Sequence, residues 1–197
     1  MDIEKQLKTG TTTLGLLYKD GVVLAADSQS TSAYVESRYE RKVHPVNPNM
    51  ALTTAGVVAD LQFVLRLMRV ESRLYEMGNG RPTTSALVTL LSNVLHSNRW
   101  YPYIAAMVIG GYDKNGPQLY SIDPYGGIGR GENFFSTGSG SPLAMGVLEN
   151  QYKEDMTENE AVELAKSAVK AAIQRDIYTG GKKLTVAVID KNGYREV

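Results

Sequence analysis

The chain contains no cysteine. Disulfides, thiolate metal sites and a cysteine nucleophile are therefore excluded. Histidine is scarce: His44 and His96 are the only two in 197 residues, too few for a histidine-rich metal centre. An excess of charge is lacking as well. Lys plus Arg number 21, Asp plus Glu number 21, and the formal net charge is zero. A globally basic surface for nucleic acid or for a membrane is not indicated. No apolar run approaches the roughly 20 residues that a membrane-spanning helix needs. The first ten residues, MDIEKQLKTG, are polar and charged and carry no apolar signal-peptide core. The expectation is a soluble cytoplasmic protein that binds neither nucleic acid nor membrane.

What is present suffices for one domain. Hydrophobic residues make up 43% of the chain, enough for a sizeable core, and no repeat or linker divides it. Residues 12–18 and 22–26 are apolar strand formers around Lys19-Asp20-Gly21, and Asp-Gly is a hairpin-turn signal. A second strand pair is expected over 34–46 and 50–55. Leu61, Val64, Leu65 and Met68 recur at helical spacing and predict a helix over 60–77, ended by Gly78 and Gly80. Thr83 or Thr84 caps a second helix carrying Leu87, Leu90, Leu91, Val94 and Leu95. Strands return over 104–112, 118–123 and 132–136. Ser141-Pro142 reads as an N-cap followed by a first-turn proline, and Thr157 with Glu160 forms a capping-box pattern opening a long helix. Strands 184–190 and 193–197 end the chain. Tight turns imply antiparallel sheets, and paired helices imply separate layers. The expected architecture is α+β: two antiparallel sheets between two helix pairs.

Five stretches have the residue types for chemistry. In Gly10-Thr11-Thr12-Thr13, a threonine hydroxyl is a poor nucleophile unless a base stands beside it. A free α-amine, with a pKa near ~8, is such a base, so a chain cut after Gly10 carries nucleophile and base together on Thr11. On its own, TTT more often just starts a strand. Asp27, ending Ala25-Ala26-Asp27, lies near the chain start if the first two strands form a hairpin; alone it reads as a turn residue. Lys42, in Arg41-Lys42-Val43, can lower the cost of deprotonating a nearby hydroxyl and can pair with Asp27, although a lysine is usually solvated. Ser139, in Ser136-Thr137-Gly138-Ser139-Gly140-Ser141-Pro142, sits in a tight turn; the same loop lacks the pattern and setting of a nucleotide site. Asp176 and Thr179 lie in Arg175-Asp176-Ile177-Tyr178-Thr179-Gly180-Gly181, whose glycines also read as a plain helix stop. His96 is a helix residue without a partner. His44, Lys42 and Glu40 are spaced to face one side of a strand.

Taken together and in this order, T-T-T-L-G-L-L-Y-K-D-G-V-V-L-A-A-D, R-K-V, T-A-G-V-V-A-D, S-T-G-S-G-S-P-L-A-M-G-V-L-E and R-D-I-Y-T-G-G resemble the β-type subunits of archaeal proteasomes, the N-terminal-nucleophile threonine peptidases. The resemblance runs from Thr11 to about Val197. It implies a four-layer αββα sandwich. It also implies a propeptide, residues 1–10, removed by autocatalysis between Gly10 and Thr11. Thr11 is then the nucleophile, Asp27 and Lys42 the supporting ion pair, and Ser139, Asp176 and Thr179 the surroundings of the Thr11 amine. Gly56 supplies an oxyanion-hole N–H, and the chemistry so implied needs no metal or cofactor. The first substrate pocket is lined from positions matching Ser30, Thr31, Glu40, His44, Thr54 and Val58, a more polar set than a purely apolar-cleaving pocket has. The chain departs from the family pattern in three places. Gln29 stands where an arginine is usual, the segment between Asp27 and Lys42 is one residue short, and Thr179 replaces a serine.

The resemblance further implies rings of seven β subunits flanked by rings of α-type subunits, with unfolded polypeptides as substrates and an ATP-dependent unfoldase acting through the α ring. An alternative is a structural β subunit, weakly active or unprocessed, sharing a ring with a second β type. A bacterial-type ring peptidase and an α-type scaffold fit less well, given the short pro-segment and the STGSGSP and RDxYTGG motifs.

Overall fold

A computed structural model describes residues 10–197; the expected propeptide, apart from Gly10, lies outside the described residues. In chain order the first elements are β1 (Thr13–Tyr18), β2 (Gly21–Ala26), β3 (Ser30–Thr31), β4 (Val35–Ser37), β5 (Val43–Asn47), β6 (Met50–Thr53) and β7 (Ala55–Gly56). Helices α1 (Val58–Asn79) and α2 (Thr84–Ser97) follow, then β8 (Ala105–Asp113), β9 (Gly116–Ile122), β10 (Ile128–Gly129) and β11 (Phe134–Thr137). Helices α3 (Ser141–Gln151) and α4 (Glu158–Arg175) precede β12 (Thr185–Asp190) and β13 (Gly193–Glu196).

Two antiparallel sheets carry the fold. One runs β11-β1-β2-β12-β13, the other β10-β9-β8-β6-β5, with β7 beside β8. Strand β2 shows why they stack. Side chains alternate across a strand. Val23 and Ala25 pack with Ala144, Leu148, Ala165 and Val169 of α3 and α4. Val22, Leu24 and Ala26 pack instead with Ala51 and Val108 of the other sheet. That second sheet turns Leu52, Met107 and Ile109 onto Val64, Met68, Leu87 and Leu91 of α1 and α2. The layers are therefore helix pair, sheet, sheet, helix pair, and β2 is apolar throughout because both its faces are buried.

Local signals account for most boundaries. Tyr18 stands opposite Gly21 in the hairpin turned by Lys19-Asp20. Thr83 caps α2, accepting from the Ala86 N–H, and Thr157 with Glu160 forms the reciprocal capping box of α4. Four expectations need correction. Gly78 does not end α1, which runs through it to Asn79 with Gly80 as the cap. The strand expected over 34–46 is broken: β4 covers three residues, and Glu40, Arg41 and Lys42 lie in an irregular segment before β5. That segment is tied down by side chains and turns, with the Glu40 N–H on the Ser28 carbonyl. Ser141 is not the N-cap of α3. Its N–H is already bonded to the Gly138 carbonyl in a turn, so it becomes the first helical residue and Gly140 the cap. Gly180-Gly181 does not stop α4, which ends at Arg175 where Asp176 turns extended (ψ 116°).

Candidate active site

Thr11 precedes β1, Asp27 follows β2, and Lys42 precedes β5. The hairpin register, Thr13 opposite Ala26, puts Asp27 across from the chain start, and the Asp27 N–H donates to the Thr12 carbonyl (3.2 Å). Lys42 arrives from the facing sheet. All three are buried. The Thr11 hydroxyl donates to Asp27 Oδ1 (2.9 Å) and accepts from Lys42 Nζ. The three Lys42 ammonium protons are all placed: on Thr11 Oγ1, on Asp27 Oδ1 (2.7 Å) and on the Gln29 carbonyl (2.5 Å). Asp27 Oδ1 also accepts from the Thr12 N–H (3.0 Å), and Oδ2 accepts from the N–H groups of Gln29 (3.1 Å) and Gly180 (2.9 Å). A fully buried carboxylate is tolerated here because both oxygens are satisfied. Burial pulls the Lys42 pKa below its ordinary value, and Asp27 pushes it back up.

The Thr11 nitrogen faces a second group. Its N–H donates to Ser139 Oγ (3.2 Å), and Ser139 Oγ lies 2.5 Å from Asp176 Oδ2. Thr179 also donates to Asp176 Oδ2 (2.5 Å). With that proton committed, the 2.7 Å contact between Thr12 and Thr179 hydroxyls requires Thr12 to be the donor. Thr179 therefore reaches Thr12 and Asp176 rather than Thr11 itself. Strand β11 delivers Ser139, because pairing of Thr137 with Thr13 leads the chain straight over Thr11. Gly138 makes the crossing at φ +95°, and a Cβ there would collide with the Thr11 carbonyl oxygen.

One pocket opens beside Thr11. Gly56, Ser30, Thr31, Glu40, His44, Thr54 and Val58 all line it. Glu40, Lys42 and His44 share it although only His44 lies on a strand. Gly56 (φ +142°) is packed so closely on the Ile104 carbonyl that no side chain fits. His44 is held down to a pKa of about 4, mainly by burial and then by the cations of Arg41 and Arg69, so its ring is neutral near pH 7.

A family model described as "Proteasome subunit" matches residues 7–189. The chain belongs to the proteasome subunit family. Among curated relatives, proteasome subunit beta 1 of Pyrococcus horikoshii is 48% identical over 191 residues, covering 96% of each chain. Proteasome subunit beta 2 of Thermococcus gammatolerans is 48% identical over 195 residues, 98% of this chain and 96% of its own. Proteasome subunit beta of Methanosphaerula palustris is 44% identical over 196 residues, 98% and 92% of the two chains.

Within this proteasome fold, several site groups escape a reading by residue type. The Gln29 carbonyl and the Gly180 N–H are backbone atoms, which any residue offers. Gln29 sends its side-chain amide to Thr31 Oγ1 (3.0 Å), away from Asp27. Glu36, Leu61, Gln62 and Leu65 also line the pocket. The helical spacing of Leu61 and Leu65 signalled α1, but nothing in it signalled which end of the helix faces Thr11.

Proposed function

We propose that this chain is a catalytic β subunit of an archaeal proteasome core, a threonine endopeptidase that hydrolyses peptide bonds of unfolded polypeptides. The observation that carries the reading is the Thr11 hydroxyl, held between the ammonium of Lys42 and the carboxylate of Asp27 at the mouth of a pocket.

Maturation comes first. The Thr11 hydroxyl adds to the adjacent Gly10 carbonyl through a five-membered ring. The Gly10–Thr11 C–N bond breaks, the hydroxyl proton ends on the Thr11 nitrogen, and an ester links Gly10 to Thr11 Oγ1. Water hydrolyses that ester and releases residues 1–10 as a carboxylate. The amine so freed lies beside Ser139, which is held by Asp176.

In turnover the amine takes the Thr11 hydroxyl proton as Oγ1 attacks the scissile carbonyl, and Lys42 stabilises the developing alkoxide. The Gly56 N–H faces the oxyanion. The proton passes to the leaving amine, and water then hydrolyses the acyl ester. Asp27 keeps Lys42 charged and aimed throughout. In this reading the subunit works in the cytoplasm. It sits in a heptameric β ring capped by α-type rings, which an ATP-dependent unfoldase feeds.

Intact mass of the chain, alone and co-assembled with its α partner, tests the reading. Loss of residues 1–10 on assembly, abolished by Thr11→Ala, supports it; retention of Met1 to Gly10 in a complete particle refutes it. Retention is the outcome expected of the second reading, a structural β subunit. The relatives favour keeping that alternative in view, because their names distinguish a beta 1 from a beta 2.

A further inference from the structure

The pocket beside Thr11 holds four charged side chains, and their pairing decides what it attracts. Glu36, Glu40, Arg41 and Lys42 all line it. Lys42 is neutralised by Asp27 at 2.7 Å, where the carboxylate side chain has no exposure. Arg41 is turned to the chain end: its guanidinium pairs with Glu196, lies 3.3 Å from the Tyr194 hydroxyl and donates through Nε to the Val43 carbonyl (3.0 Å). Both cations are thereby matched by carboxylates outside the pocket lining.

The two acids are not. Glu36 accepts only from hydroxyls, Ser32 Oγ (2.7 Å) and Ser30 Oγ (3.4 Å), and Glu40 takes no side-chain hydrogen bond or ion pair among the described residues. His44 adds no positive charge near neutrality. The pocket therefore presents two carboxylates without a cationic partner among the described residues, beside an apolar wall of Val58, Leu61 and Leu65 from α1.

We infer that this pocket selects a basic side chain, lysine or arginine, at the residue preceding the scissile bond, with Glu40 as the specificity-determining residue and Glu36 reinforcing it. Such side chains have both required parts. The methylene stem covers apolar wall while the charged head stays at polar groups. A guanidinium or ammonium meeting an otherwise unpaired carboxylate makes a charge-assisted hydrogen bond. A glutamate side chain is repelled by the same carboxylates, and a leucine leaves Glu40 without a partner. Self-cleavage after Gly10 makes no demand on this pocket, because the scissile bond is tethered in the same chain. The inference rests on the peptidase reading of Thr11.

The test uses assembled, processed particles and three fluorogenic tetrapeptides that differ only in the residue before the leaving group: arginine, leucine or glutamate. The expected result is kcat/KM for arginine above leucine by about tenfold, equivalent to about 1.4 kcal/mol, with glutamate lowest. Glu40→Gln brings the arginine-to-leucine ratio down about tenfold, and Glu40→Lys moves the preference toward glutamate. If a Glu40 variant fails to assemble, Glu36→Gln and ionic strength take its place. Raising salt from about 0.05 to about 0.5 M should shrink the arginine advantage of the unmodified particle, because the pocket is open to solvent. Leucine cleaved as well as arginine, or a ratio unmoved by salt and by both glutamine variants, overturns the inference while the peptidase reading stands. No cleavage of any peptide by the processed particles overturns both.

Discussion

Burial and charge pull in opposite directions on Lys42, and the balance makes Lys42 and Asp27 unequal partners. Removing Lys42 leaves Asp27 with the Thr11 hydroxyl and the N–H groups of Thr12, Gln29 and Gly180. Removing Asp27 leaves a buried ammonium with one hydroxyl and one carbonyl, and orphans those three N–H groups. Breaking a buried pair costs about 3–5 kcal/mol. Lys42→Met should fall at the low end of that range and Asp27→Ala at or above its top, as read by urea unfolding. Lys42→Met should also lower kcat by about 10²–10³, the usual cost of losing one group that stabilises developing negative charge. An active Lys42→Met particle would remove Lys42 from the chemistry. His44 gives a separate, pH-dependent signal. The unfolded imidazole titrates near ~6.5 and the folded one at about 4, so between those values the unfolded chain binds more protons. Stability should therefore fall as pH drops from about 6.5 toward 4 and be unaffected by this group above that window. Arg41 and Arg69, both facing His44, help keep it neutral. In His44→Gln the urea midpoint should change less across the same pH series.

Turns place the site groups more than strands do. The hairpin of β1 and β2, the helices α1 to α4 and the capping box at Thr157 are all legible in the sequence, because each rests on periodicity or on a residue type with one mechanical use. Thr11, Asp27, Lys42, Ser139 and Asp176 were legible as a set only through motif order; singly, each has a commoner structural reading. The segment from Ser30 to Lys42 was not legible. Its strands β3 and β4 are two and three residues long, too short for alternation to show, and its position depends on hydrogen bonds to distant backbone, such as the Lys182 N–H on the Arg38 carbonyl (2.9 Å). Two substitutions separate site turns from scaffold. Gly138→Ala forces a Cβ onto the Thr11 carbonyl at φ +95°, so processing after Gly10 should slow or stop. Thr157→Ala removes a cap remote from Thr11 and should cost about 1 kcal/mol with processing intact. Mass spectrometry and thermal melts on both variants measure the contrast; equal processing in the two would mean the Gly138 turn does not position Thr11.

On the whole molecule, α1 has two apolar stripes and the fold uses one. Val64, Leu65 and Met68 face the sheet. Phe63, Leu67, Val70, Leu74 and Met77 follow the 4-3-4-3 spacing of a helix seam, and Val70 (53%), Leu74 (56%) and Met77 (77%) stand exposed. Such a row on one chain marks a surface meant to be covered. The expected covering partner is a neighbouring subunit of the proteasome particle, which would connect the outside of the fold to Thr11. Leu74→Glu should leave the isolated chain folded, because the residue lies outside the core cluster, yet it should prevent co-assembly with the α-type partner in size-exclusion and native mass measurements. If cleavage after Gly10 depends on assembly, the same variant should keep residues 1–10 although Thr11, Asp27 and Lys42 are all present. A Leu74→Glu chain that assembles normally would show that this stripe is not a subunit contact. One that stays monomeric but loses residues 1–10 would show that the Thr11 site matures without the ring, and that the order of events is cleavage first.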